Sequence, residues 1–219
     1  MSSKMLVVGL TGAAGAGKDT FAKRLKQHLG MHASVSIFSF ADPLRAMLNE
    51  LTHDFKYLER RDNRETETLW GMEGASYRQL MQTLGTEWGR NLIHEQLWVR
   101  HMSRRISHRA HMWETGGREY SVVVIIPDVR FANEAEFIKN TDGGQIIHID
   151  RPTKWWVKVR DHISEQCDLS DFTDMVVVNN GTPADLDRLA KVYAYDLAKL
   201  LITDKGAPLP TVAHRGEEC

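Results

Sequence analysis

The run Gly12-Ala13-Ala14-Gly15-Ala16-Gly17-Lys18-Asp19-Thr20 constrains this chain more than any other stretch. It follows an apolar segment at 5–10 that reads as a buried strand. It precedes a segment whose Phe21, Leu25 and Leu29 recur every four residues among basic side chains, the pattern of an amphipathic helix. A strand, a glycine-rich turn and a helix in that order make a phosphate-binding loop of the form G-x-x-x-x-G-K. The glycines let successive backbone N–H groups curl around an anion at positive φ. The helix N-terminus adds unpaired donors and a partial positive charge, and Lys18 adds a mobile ammonium. One position departs from the usual pattern. Asp19 stands where Ser or Thr normally follows the lysine, and the hydroxyl comes one later, at Thr20.

The 219 residues suffice for one α/β domain with a small lid. A formal net charge of −1 argues against a dedicated nucleic-acid binder. The two cysteines, Cys167 and Cys219, make neither a disulfide framework nor a metal-binding pair, which fits a reducing cytoplasm. The first four residues are too short and polar for a signal peptide, and no apolar run approaches membrane-spanning length.

Along the chain, 33–40 predicts a second strand. Asp42-Pro43 then opens a helix as N-cap and first helical residue, with Leu44, Met47, Leu48 and Leu51 on its apolar face. Asp42 thereby falls at the carboxyl end of a strand, the edge where open α/β sheets bind ligands. Residues 53–75 are polar and mixed in charge, a solvated face. Ser76 begins a short helix with capping-box spacing; Gly85 is expected to end it, and 86–90 to form a compact turn. Arg78 and Arg90 flank that unit and suit contacts to a phosphate. A further helix is expected over 94–107 and a loop over 108–119, whose His108, His111 and Glu114 lack the company a metal site needs. Residues 121–126 form a continuous β-branched run, as in a doubly covered parallel strand, ending at Asp128 and Arg130. An acidic residue at such a strand tip beside a phosphate loop is the Walker-B arrangement for Mg²⁺. Strands at 145–149 and 174–178 and a last helix from Thr182-Pro183 complete the pattern. Between them, 151–171 sets Arg151, Lys154, Lys158 and Arg160 beside Trp155 and Trp156, suggesting a lid that closes over phosphates. The tail after 203 has no periodicity and predicts disorder.

Five strands alternating with helices predict a three-layer α/β/α sandwich on a parallel sheet. The P-loop, Phe40-Ala41-Asp42-Pro43-Leu44-Arg45, the block Leu84 to Arg90, Pro127-Asp128-Val129-Arg130-Phe131-Ala132-Asn133-Glu134 and His162-Ile163-Ser164-Glu165 together resemble the P-loop nucleoside monophosphate kinase superfamily, and within it the phage deoxynucleoside monophosphate kinases. The resemblance runs to about residue 202, and Gly-Lys-Asp-Thr looks like that group's version of the loop. It implies a sheet order 2-3-1-4-5, a kinase domain over 1–202, an acceptor-binding insertion at about 53–110 and a lid at about 151–171. The implied reaction is ATP + dNMP giving ADP + dNDP in phage nucleotide metabolism, dependent on Mg²⁺, in the host cytoplasm.

By the same resemblance, Gly12, Ala14, Gly15, Ala16, Gly17 and Lys18 hold the ATP phosphates, and Asp19, Thr20 and Asp128 organise Mg²⁺, through water at least in part. Asp42, Arg78, Arg90, Asp128 and Arg130 form the acceptor side. Arg151 and Arg160 close from the lid, Asn180 borders the adenine, and Trp88 or Trp155 stacks on the acceptor base. The expected partners are ATP and a dNMP, without nucleic acid or membrane, and exposed aromatics permit a homodimer. Dephospho-CoA kinase and animal-type phosphomevalonate kinase share parts of these motifs. A P-loop ATPase without a small acceptor is the alternative from another class.

Overall fold

The computed structural model describes residues 4–52, 76–116, 121–152 and 167–202. The polar stretch 53–75, most of the segment expected to form a lid (153–166, with Trp155 and Arg160) and the tail 203–219 lie outside the described residues. Five strands form one all-parallel sheet: β1 (Met5–Thr11), β2 (Ser34–Ile37), β3 (Val122–Ile126), β4 (Gln145–Asp150) and β5 (Met175–Val178). Their order is β2-β3-β1-β4-β5, the expected one. The helices are α1 (Lys18–Leu29), α2 (Asp42–Thr52), α3 (Tyr77–Gln82), a π-helix (Thr83–Ile93), α4 (Leu97–Thr115), α5 (Ala132–Lys139) and α6 (Pro183–Ile202), with a 3-10 turn at Ser170–Phe172.

The strands are buried on both faces, which is why their sequences are nearly unbroken apolar runs. Alternate residues serve opposite layers. Leu6, Val8 and Leu10 of β1 pack with Val123, Ile125, Ile147 and Ile149 against Phe21 and Leu25 of α1 and Leu186 and Leu197 of α6. Val7, Val124, Ile126 and Ile146 face the other way, onto Trp98, Met102 and Ile106 of α4 and Ala135 and Ile138 of α5. Burying apolar surface at roughly 25 cal/mol per Å² is what holds such a sandwich together, and the side chains with zero exposure line both layers.

Two local expectations change. Gly85 does not end a helix, and 86–90 is not a turn: the π-helix passes through both. Gly89 packs under the Trp98 indole, where a Cβ would come within 2.4 Å of the ring, and Trp98 Nε1 donates to Gly85 O at 2.7 Å. The glycine serves close approach there, not termination. The following helix also continues to Thr115, so His108, His111 and Glu114 lie on its surface rather than in a loop. Tertiary contacts extend it. Trp113 is buried, and Arg109 donates to Ser36 Oγ (3.1 Å) and Ser34 Oγ (2.6 Å) on edge strand β2. The last helix begins as expected, with Asp185 N donating to Thr182 Oγ1 and Thr182 N to Asp185 Oδ2.

Candidate active site

The carboxyl ends of β1, β3 and β4 meet in a cleft of about 540 Å³, lined by residues 11–14, Lys18, Arg130, His148, Asp150 and Asp168 among others. The glycine loop forms its floor. Gly12, Gly15 and Gly17 have φ of 127°, 78° and 104°, so three positions adopt the left-handed half of backbone space that side chains resist. Space adds a second constraint: a Cβ on Gly12 would sit 2.2 Å from Ile149 O, and one on Gly17 would sit 2.7 Å from Asn179 Nδ2. Ala16 is buried, and its carbonyl accepts from Asn179 Nδ2 at 2.8 Å, tying the loop to the end of β5. Lys18 Nζ donates to Gly12 O (2.6 Å) and Ala13 O (2.8 Å), holding its charge over the loop. Asp19 and Thr20 are exposed on the first turn of α1, whose N–H groups lack intrahelical acceptors.

Asp128 stands two residues past the end of β3 and is held by the turn between β2 and α2. Its Oδ1 accepts from Phe40 N (3.0 Å); its Oδ2 accepts from Ala41 N (3.0 Å) and from the Ser39 hydroxyl. Asp42 is not the N-cap expected. It already belongs to α2, and its Oδ2 reaches back to accept from Ser39 N at 2.9 Å. The Ser39 hydroxyl in turn accepts from Ala41 N at 3.2 Å, so the turn is closed by one bond from Ser39 N to Asp42 and one from Ala41 N to Ser39. Asp42 also accepts from Arg45 (3.2 Å) and from Arg105 on α4 (2.6 Å), whose guanidinium stacks on Phe38. His101, one turn before Arg105, titrates below its ordinary value, first through burial and then through that positive charge.

Arg130 is exposed and lines the same cleft as the glycine loop. Arg90 is elsewhere: only 9% exposed at the end of the π-helix, it donates to Glu134, Asn133 Oδ1 (3.2 Å) and Glu95 O (3.2 Å) and lies 3.8 Å over the Phe131 ring. The bonds it makes run to other parts of the protein, from the loop before α4 to the first turn of α5. Burial pushes the Glu134 carboxyl up to about 7, while Arg90 and the N–H groups of Arg130 and Phe131 pull it down. Burial likewise lowers the pKa of Arg90, with Glu134 opposing.

The other candidates are more dispersed. Arg151 is exposed just after β4, whose terminal Asp150 lines the cleft. Arg78 is half-buried on the first turn of α3, and Trp88 is 36% exposed on the π-helix, its ring 6.4 Å from that of Trp98. Asn180 is exposed beside a groove between β5 and α6; its neighbour Asn179 is the one that touches the phosphate loop. Ser39, Arg105, Asn179 and Glu134 were not singled out by sequence reasoning. Ser39 had a local signal, standing three residues before Asp42; Glu134, which follows Phe131 at that spacing, and Arg105 had none.

Mg²⁺, implied by the resemblance, is tested by the donor set. Both Asp128 oxygens already accept hydrogen bonds, and a carboxylate has about four acceptor sites. The described residues contain no group of three or more His, Cys, Asp or Glu placed to hold a metal ion. With three hydrogen bonds accepted, the Asp128 carboxylate keeps about one acceptor site for a cation, so a Mg²⁺ ion beside it would be met largely through water.

A sequence model described as deoxynucleotide monophosphate kinase matches residues 60–190. A protein of Acanthamoeba polyphaga mimivirus named as a deoxynucleotide monophosphate kinase is 33% identical over 197 residues, covering 81% of this chain and 90% of that one. The deoxynucleoside-5'-monophosphate kinase of Escherichia phage T5 is 34% identical over 67 residues, 31% of this chain and 23% of that one. Among solved structures, the shikimate kinase of Aquifex aeolicus aligns over 89% of this chain and 99% of its own, with a TM-score of 0.45 and 14% identity.

Proposed function

The chain belongs to the deoxynucleotide monophosphate kinase family, and we propose that its cleft moves the γ-phosphoryl group of ATP onto a deoxynucleoside monophosphate. One observation carries the residue assignment: Lys18 and the Gly12–Ala14 backbone lie in the same cleft as Arg130. Phosphoryl transfer needs little covalent help, so placement and charge neutralisation do the work. The loop N–H groups and Lys18 bind the β- and γ-phosphates. Phosphate oxygens replace the Gly12 and Ala13 carbonyls as acceptors for Nζ. Arg130 neutralises the group in transfer or the acceptor phosphate, which carries about two negative charges near neutral pH. Mg²⁺, held by Asp128, Asp19 and Thr20 through water, supplies further neutralisation when bound.

Asp42 sits on the acceptor side, and its ion pairs with Arg45 and Arg105 suit it to hold an acceptor hydroxyl or sugar in place. Arg78 and Trp88 complete that side from α3 and the π-helix, and Arg151 approaches from the start of the lid, with Arg160 and Trp155 beyond it. The adenine of ATP lies toward the β5 end, where Asn179 and Asn180 sit. No described helix is long and apolar enough to cross a membrane, and a chain with two cysteines in 219 residues accords with action in a reducing cytoplasm.

ADP release measured with ATP against the four dNMPs, dephospho-CoA and phosphomevalonate tests the reading, with Lys18→Ala as control. Turnover with one or more dNMPs, lost in the control, is the expected result. Consumption independent of any acceptor favours an ATPase, and silence with every dNMP overturns the proposal.

A further inference from the structure

Glu134, 2% exposed, divides its two oxygens between separate parts of the molecule. Oε1 takes a guanidinium N–H of Arg90, at the end of the π-helix. Oε2 takes the backbone N–H of Arg130 (2.8 Å) and of Phe131 (3.2 Å), in the segment that leads from Asp128 into α5. Arg90 is pinned from three further sides, by Asn133 Oδ1, by Glu95 O and by the Phe131 ring. The π-helix is itself irregular backbone of a kind found mostly as short insertions at functional sites.

The geometry points to Arg90 and Glu134 as a paired positioning device, in which the Glu134 carboxylate fixes the Arg130 backbone so that its side chain faces the phosphate loop, and Arg90 fixes Glu134 to the π-helix. Neither residue touches a phosphate; both act through Arg130. The inference rests on the proposed function in taking that cleft as the place of transfer. A stability role alone accounts poorly for the arrangement. Buried ion pairs repay their desolvation badly compared with apolar packing, and a helix start needs only a simple polar cap. The feature left over is the shared carboxylate, whose second oxygen orders the residue that lines the cleft.

The test is steady-state kinetics of Glu134→Ala and Glu134→Gln, joined to amide hydrogen exchange at Arg130 and Phe131. In Glu134→Ala, kcat is expected to fall by about 10²-fold, the order that a misplacement of 1 Å can cause, while KM for ATP stays near the wild-type value because the glycine loop is untouched. Gln presents one carbonyl oxygen where the carboxylate presents two, so Glu134→Gln must fall between Ala and the wild type. A pair serving stability alone lowers the melting temperature and leaves kcat per folded enzyme unchanged; a folded Glu134→Ala with wild-type kcat, or Glu134→Gln no better than Ala, overturns the inference. Should Glu134→Ala fail to fold, Glu134→Gln carries the test, and wild-type kcat there overturns it. If the wild type turns over no dNMP, the proposed function fails instead. Amide exchange then decides the device: slow at Arg130 in the wild type and fast in Glu134→Gln supports it, and fast in the wild type overturns it.

Discussion

The Ser39 hydroxyl donates to the Asp128 carboxylate across 89 positions of chain, joining the segment after β2 to the segment after β3. Ser39 is buried, and its backbone N–H serves Asp42 at the same time. One serine thus ties the Asp128 and Asp42 carboxylates to each other.

Replacing Ser39 by Ala leaves Asp128 with its two backbone donors but removes the hydroxyl. A hydrogen bond to a charged group contributes about 1.5–3 kcal/mol, so turnover should fall by roughly 10- to 100-fold with a modest drop in melting temperature. Steady-state kinetics beside a thermal melt check this. Unchanged kcat would show that the backbone alone holds Asp128.

Arg130→Ala should cost about 10³-fold in kcat, as loss of a transition-state arginine does. Its folding should be untouched, because the side chain is exposed and the backbone N–H stays bonded to Glu134. Near-normal turnover in a folded variant would sink the assignment of Arg130 to the transferring group.

Asn179 and Asn180 are neighbours with opposite expectations. Asn179→Ala removes the 2.8 Å bond to Ala16 O in a buried place and leaves that carbonyl unsatisfied, at about 1–3 kcal/mol. It should raise KM for ATP and lower the melting temperature. Asn180→Ala should leave stability within about 0.5 kcal/mol, as surface changes do. Paired titrations of ATP and paired melts distinguish the two, and equal effects would remove the loop-bracing role of Asn179.

Glu134 gives a pH dependence with a definite sign. Its carboxyl is raised from the ordinary 4.5 to about 7, so between those values the folded protein binds more protons than the unfolded chain. Stability from this group is full below pH 4.5 and is lost as pH rises toward 7. The melting temperature of the wild type should therefore fall relative to that of Glu134→Gln over that window. A parallel pair of curves would show that Arg90 and the backbone donors keep Glu134 ionised throughout.

Sequence patterns reached the architecture because the responsible forces are local or periodic. Strands buried on both faces must be unbroken apolar runs, as 122–126 is, and the glycine loop needs positive φ where glycine stands. Helix ends were less legible. Gly85 and Gly89 read as punctuation, yet they sit inside a π-helix because Trp98 of the next helix packs its ring on Gly89 and donates to Gly85 O. The stretch 108–115 read as loop and is helix because Trp113 and Arg109 reach the core and β2.

The amino-acid sequence by itself determined the phosphate loop, the parallel sheet and the residue types gathered at its carboxyl edge. Each follows from backbone conformation and hydrophobic periodicity within a few residues. Tertiary structure alone decided which charged side chains face the cleft and which are spent on one another. Arg90 and Arg130 look alike in sequence; one is buried against Glu134, 44 positions away, and the other is exposed beside the loop. Asp42 meets Arg105 across 63 positions, and Asn179 meets Ala16 across 163. Such pairings depend on distances of a few ångströms between segments remote in sequence. Because Coulomb and hydrogen-bond energies fall away steeply with distance and solvation, no local pattern encodes them.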